Sequence, residues 1–141
     1  MVDKVTSTVD ETKNLARDFA SEINKPTVIA LYGNLGSGKT NFIQGLAEGL
    51  GIKRRVLSPT FVFMRSYELN GRGAKKFHHV DLYRLDSEKD VEAIGLKEIL
   101  EDNDSIVAVE WPEKIEKLLP ENTVKIKFET LGENKRKISL F

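Results

Sequence analysis

The sequence predicts an α/β fold, with a mainly parallel central sheet flanked by helices and extended by antiparallel hairpins. Three observations predict it. Two short runs rich in branched apolar residues, Thr27 to Tyr32 (TVIALY) and Ser105 to Trp111 (SIVAVEW), are bounded by Pro or Gly and suit buried central strands. Stretches with helical periodicity accompany them. Two pairs of alternating segments, each closed by a glycine-bearing turn, read as hairpins. With 141 residues, the chain has the length of one domain, taken as residues 1–141.

The elements follow in order. Val9 to Ile23 is amphipathic, with Leu15, Phe19 and Ile23 on one stripe beside Ala16 and Ala20; Thr8 or Asp10 can cap its start. Pro26 forbids continuation, and the strand 27–32 follows. After GNLGSGKT, a helical pattern resumes from Thr40 to Leu50 and ends at Gly51. Ser58-Pro59-Thr60 interrupts the chain. Phe61 to Leu69 and Lys75 to Tyr83 then alternate about the turn Asn70-Gly71-Arg72-Gly73, a β-hairpin. Ser87 to Leu100 is a capped helical region broken at Gly95. The second apolar strand stops at Pro112, and Pro112 to Leu119 reads as a short helix. Thr123 to Leu131 and Lys135 to Phe141 form a closing hairpin around Gly132-Glu133-Asn134.

Composition narrows the function. The formal net charge is zero, from 22 basic and 22 acidic residues, which argues against autonomous tight binding to nucleic acid. Lys53-Arg54-Arg55 and Lys135-Arg136-Lys137 are basic clusters that read as a solvated loop and a hairpin tip. There is no cysteine, which excludes disulfides, thiolate catalysis and cysteine-rich zinc sites. No apolar run approaches the ~20 residues that span a bilayer. The segment from Met1 to Asp10 is polar, so the expected setting is cytoplasmic, with no membrane association.

Gly33-Asn34-Leu35-Gly36-Ser37-Gly38-Lys39-Thr40 matches G-x-x-x-x-G-K-[ST]. It follows an apolar strand and opens a helix, the context that a P-loop NTPase-like fold requires. The glycines let backbone N–H groups curl around phosphate oxygens, and the helix turns its positive end to the same anion. Lys39 is expected to reach the β- and γ-phosphates, and the Thr40 hydroxyl to coordinate magnesium. An acid at the end of a neighbouring strand completes such a site. Two acids fit, Glu110 after the run 106–109 and Asp81 at the end of 77–81; Glu110 is the expected magnesium-side acid, with the two roles open to exchange. Alternation puts His79, Asp81 and Tyr83 on one face, with Asp81 free to position or deprotonate water or to hold the metal's hydration shell; the solvent face of an antiparallel hairpin is the alternative. Adjacent His78 and His79 point to opposite faces, which argues against a zinc pair. Thr60 has the chemistry to sense a γ-phosphate, and a Ser-Pro turn starting a strand is the alternative reading of its segment. Trp111 reads equally as core or as a ring beside the site.

Four motifs stand in fixed order: GNLGSGKT at 33–40, SPTF at 58–61, HVDLYRL at 79–85 and VEWPE at 109–113. Together they resemble the TsaE family, once called YjeE, small ATPases of bacterial threonylcarbamoyladenosine modification of tRNA. The resemblance extends over nearly the whole chain. The family's usual loop reads GDLGAGKT; here Asn34 replaces the Asp and Ser37 the Ala, which removes a negative charge beside the phosphates. It implies ATP and Mg²⁺ as ligands, with residues 34–40 and Trp111 around the nucleotide and Thr40 and Glu110 at the metal. Lys39, Asp81 and Thr60 would serve hydrolysis. It also implies TsaD and TsaB as partners, with tRNA reached through their complex.

The leading expectation is therefore a water-directed ATPase acting with those partners. There is no obvious cis arginine finger, Arg84 being the nearest candidate and a partner able to supply another, so hydrolysis by the isolated chain should be slow. Two alternatives are a small-molecule kinase, disfavoured by the acidic stretch 84–104, and a nucleotide-gated binding subunit in which hydrolysis is not essential. The absence of an N-K-x-D motif weakly favours adenine over guanine.

Overall fold

The structure is a computed structural model that describes residues 2–57, 63–71, 73–86 and 88–141. Its strands are β1 (Val2–Thr6), β2 (Thr27–Tyr32), β3 (Met64–Glu68), β4 (Lys76–Asp81), β5 (Ser105–Glu110), β6 (Val124–Thr130) and β7 (Arg136–Leu140). They form one sheet in the order β1-β7-β6-β2-β5-β4-β3. The four inner strands β6, β2, β5 and β4 run parallel, while β3 and the pair β7–β1 add antiparallel margins. This is the mainly parallel sheet with hairpin additions that the sequence predicts.

Helices α1 (Val9–Ser21) and α2 (Lys39–Gly49) cover one face. The Thr8 hydroxyl accepts the Glu11 N–H at 3.0 Å, and the Glu11 carboxylate accepts the Ser7 N–H at 3.0 Å, so the start of α1 is reciprocally capped. Ala16 and Ala20 are fully buried where α1 meets α2. Phe19 packs at a tilt on Phe42 and Phe42 meets Phe128 edge to face, with ring centroids 6.0 and 5.4 Å apart, tying both helices to β6. The other face carries α3 (Glu88–Ala93), α4 (Leu96–Leu100) and a 3₁₀ helix at Pro112–Leu118. There Val91, Leu96, Leu100 and Ile115 pack on Val28, Val80, Val107 and Val109. Gly95 divides α3 from α4, the break the sequence predicts. Strand alternation explains the two layers: Ile106 and Ala108 of β5 face α2, while Val107 and Val109 face the opposite core. Among the described residues, no helix is long and apolar enough to cross a membrane.

The sequence assigned no element to the chain before Val9, yet β1 pairs with β7 from Val2↔Leu140 to Thr6↔Arg136. Its Val2 and Val5 are each 54% exposed, and only Thr6 is buried, bonded to the Thr12 hydroxyl at 2.7 Å. This edge strand is held by its backbone ladder, so it leaves no hydrophobic alternation to read.

Candidate functional site

Parallel pairing brings the ends of three strands together. Leu31 and Asp81 both lie opposite Glu110 in the register, so β2, β5 and β4 terminate at one edge. The chain leaves β2 through the glycine-rich loop and enters α2 at Lys39. Gly38 occupies the cap position at φ +100°, a left-handed conformation that glycine adopts without strain. It supplies no side-chain cap hydrogen bond, so the first turn of α2 keeps its N–H groups for another acceptor.

A cavity of about 380 Å³ opens at this edge. Lys39, Thr40, Asp81, Glu110 and Trp111 line it together, and Arg84 borders it. The lining starts at Leu35, whereas Asn34 contributes its carbonyl, which accepts the Ser37 N–H at 3.1 Å. The Ser37 hydroxyl is buried without a protein partner. Thr60 and the rest of 58–62 lie outside the described residues.

Lys39 is 5% exposed. Its ammonium donates to the Gly33 carbonyl at 2.5 Å and sits 3.9 Å from the centroid of the Trp111 ring. Burial lowers its pKa, against the opposing pull of Glu110, Glu113 and Asp81. The Trp111 backbone is itself left-handed at φ 61°, an uncommon state for a large residue. Its ring packs against Tyr83 with centroids 5.1 Å apart. Trp111 packs against the second core and also lines the cavity.

Strand β4 is an inner strand, bonded to β3 and β5, so its polar residues do not form a solvent face. His79 is 1% exposed and its Nε2 lies 2.7 Å from Glu110 Oε2. Asp81 Oδ1 accepts the Tyr83 N–H at 3.0 Å. Burial raises the Asp81 pKa and nearby Glu110 adds to it, while the Tyr83 N–H, His79 and Lys39 work the other way. Lys114, on the 3₁₀ helix, donates to the carbonyls of Tyr83 and Leu85 at 2.7 and 3.0 Å, fastening the HVDLYRL turn beside the cavity. His78 faces the other core, as alternation requires, and bonds Ser66 and Ser105.

One contributor escaped the sequence reading. Arg136 sits in the supposedly solvated cluster 135–137, yet its Nη2 donates to the Gly36 carbonyl at 3.0 Å. Only the sheet order brings the closing hairpin behind the loop, across 100 residues of sequence.

The arrangement fits an anion held by Lys39 and the first turn of α2. It also fits a divalent cation beside that anion, with the Thr40 hydroxyl, Asp81 and Glu110 as oxygen donors. Among the described residues, no cluster of three or more His, Asp or Glu side chains could hold a metal alone. Magnesium typically takes one or two protein carboxylates together with ligand phosphates, so two are enough.

Comparison with known proteins finds relatives along nearly the whole chain. The family model described as "Threonylcarbamoyl adenosine biosynthesis protein TsaE" matches residues 6–138. A tRNA threonylcarbamoyladenosine biosynthesis protein TsaE from Bacillus subtilis (strain 168) is 38% identical over 130 residues, covering 92% of this chain and 78% of that protein. A protein of the same name from Borreliella burgdorferi is 38% identical over 109 residues, covering 77% of each. A solved structure described as that of Bacillus subtilis YdiB superposes with a TM-score of 0.79 at 32% identity, covering 99% of this chain and 83% of that one.

Proposed function

The chain belongs to the TsaE family of threonylcarbamoyl adenosine biosynthesis proteins, and from that premise we propose that it binds and hydrolyses ATP to support threonylcarbamoyladenosine modification of tRNA. The observation that carries the proposal is the shared cavity: an uncapped helix start, Lys39, Thr40 and two strand-end carboxylates open into one space. Adenosine triphosphate suits it, because a triphosphate needs backbone donors, a cation and a metal, and needs little else from the protein.

In this reading the loop 34–40 wraps the phosphates. Lys39 exchanges the Gly33 carbonyl and the Trp111 face for phosphate oxygens, and Trp111 borders the nucleotide. The Thr40 hydroxyl and the Glu110 carboxylate hold magnesium, which when bound neutralises phosphate charge. Asp81 orients the attacking water and receives its proton as the oxygen bonds to the γ-phosphorus and the bond to the β–γ bridging oxygen breaks. The Thr60 hydroxyl would serve as the γ-phosphate sensor. Burial raises the Asp81 pKa above its ordinary value, the direction that strengthens it as a proton acceptor. TsaD and TsaB would be the partners, with tRNA held by their complex.

Phosphate release from ATP, measured for the chain alone and with purified TsaD and TsaB, tests this. Slow release alone, stimulated by the partners and abolished by Lys39→Ala, is the expected result. ATP binding without hydrolysis under either condition would favour nucleotide as a conformational ligand instead. Phosphate transfer to a metabolite would favour a kinase.

A further inference from the structure

Arg136 opens β7 and reaches away from the hairpin toward the glycine-rich loop. Its Nη1 donates to the carbonyls of Gly132, Glu133 and Lys135 at 2.9, 3.2 and 3.0 Å, and its Nη2 to Gly36 at 3.0 Å. The side chain therefore joins the turn of the closing hairpin to the loop. The Gly36–Ser37 peptide is held at both ends, its oxygen by Arg136 and its N–H by the Asn34 carbonyl. The arginine stem also lies along Gly38, where a Cβ would stand 3.6 Å from its Cγ and Nε.

Two features exceed what a structural staple requires. All of these acceptors are neutral carbonyls, and among the described residues Arg136 forms no ion pair. Its Nε is buried with no partner. A partly buried cation left without a counter-charge is unfavourable unless something else supplies negative charge. It stands behind the loop whose other side faces the cavity.

We propose that Arg136 is a positioning residue for the phosphate ligand: it fixes the Gly36–Ser37 turn and places an unneutralised positive charge behind the loop, so that a bound polyphosphate becomes its counter-charge. The inference rests on the nucleotide reading above. It assigns part of the affinity to the closing hairpin, an element carrying none of the four sequence motifs.

Titration calorimetry with Mg-ATP and Mg-ADP on the full chain tests it, comparing wild type with Arg136→Ala, Arg136→Lys, Thr123→Ala and Lys39→Ala. Arg136→Ala should weaken both nucleotides by about tenfold or more, the scale of a hydrogen bond to a charged group. Arg136→Lys should recover part of that loss, because charge returns without the planar fork. Thr123→Ala removes the hydroxyl bond to the Pro120 carbonyl just before β6, at the sheet edge opposite the cavity, and controls for stability alone; it should bind as wild type does. If wild type binds nucleotide, Lys39→Ala abolishes binding, and Arg136→Ala binds as tightly as Thr123→Ala, then Arg136 merely staples a turn and only this inference falls. If wild type binds no nucleotide, the reading of the cavity falls first and takes this inference with it.

Discussion

His79 Nε2 lies 2.7 Å from Glu110 Oε2, with the two residues 1% and 4% exposed. The bond joins β4, two residues before its end, to the last residue of β5. It fixes one carboxylate oxygen and leaves the other for a ligand. His79→Leu removes the donor and leaves a buried carboxylate short of a partner, a loss of about 1–3 kcal/mol. Urea unfolding should register that loss, and Glu110→Gln in the same background should recover part of it. A His79→Leu chain as stable as wild type would mean that the pair contributes nothing.

Lys39 rests on the chain's single tryptophan, 3.9 Å from the Trp111 ring centroid. Phosphate oxygens should draw the ammonium off that face, so Mg-ATP should change Trp111 emission in a saturable way. Lys39→Met, which keeps the length and drops the charge, should start from altered emission and respond weakly. Equal nucleotide responses in the two proteins would detach the ring from the lysine's movement.

Close packing makes Gly45 irreplaceable in α2. A Cβ there would lie 2.5 Å from the Lys13 carbonyl oxygen and 2.8 Å from its Cα, both backbone atoms of α1. Alanine favours helix by about 1 kcal/mol over glycine in isolation. Here the overlap should outweigh that gain, and Gly45→Ala should destabilise by roughly 1–3 kcal/mol. A raised melting temperature would show that α1 retreats without penalty.

Legibility followed the physical origin of each signal. The inner strands and the helix after the loop were readable because burial writes a periodic apolar pattern into the chain. The loop was readable because its glycines serve local backbone geometry. His79, Asp81 and Glu110 could be placed by alternation, although the inner position of β4 came only from its pairing with β5. Strand β1 left no trace because a backbone ladder holds it at the edge. Arg136 was hidden among surface lysines, since its partners are main-chain carbonyls that no side-chain pattern encodes.

His78 gives the fold a pH dependence whose sign can be worked out. Ser105 gives its only hydroxyl proton to Asp102 at 2.6 Å, so it must accept from His78 Nε2 at 3.2 Å. The Nδ1 lone pair then accepts from Ser66 at 2.6 Å, a network built for the neutral ring. Burial, with the charge of Lys76 adding to it, lowers the pKa below its ordinary 6.5, and Asp102 opposes this only in part. In the window just below 6.5 the unfolded chain binds the proton more readily, so stability should fall as pH drops through that window and level off below the folded-state pKa. His78→Gln keeps a donor and an acceptor but cannot titrate there. Urea unfolding between about pH 5 and 7.5 should give a steeper loss for wild type than for the variant toward acid pH. Parallel profiles would mean that the folded chain accommodates the charged ring as well as water does.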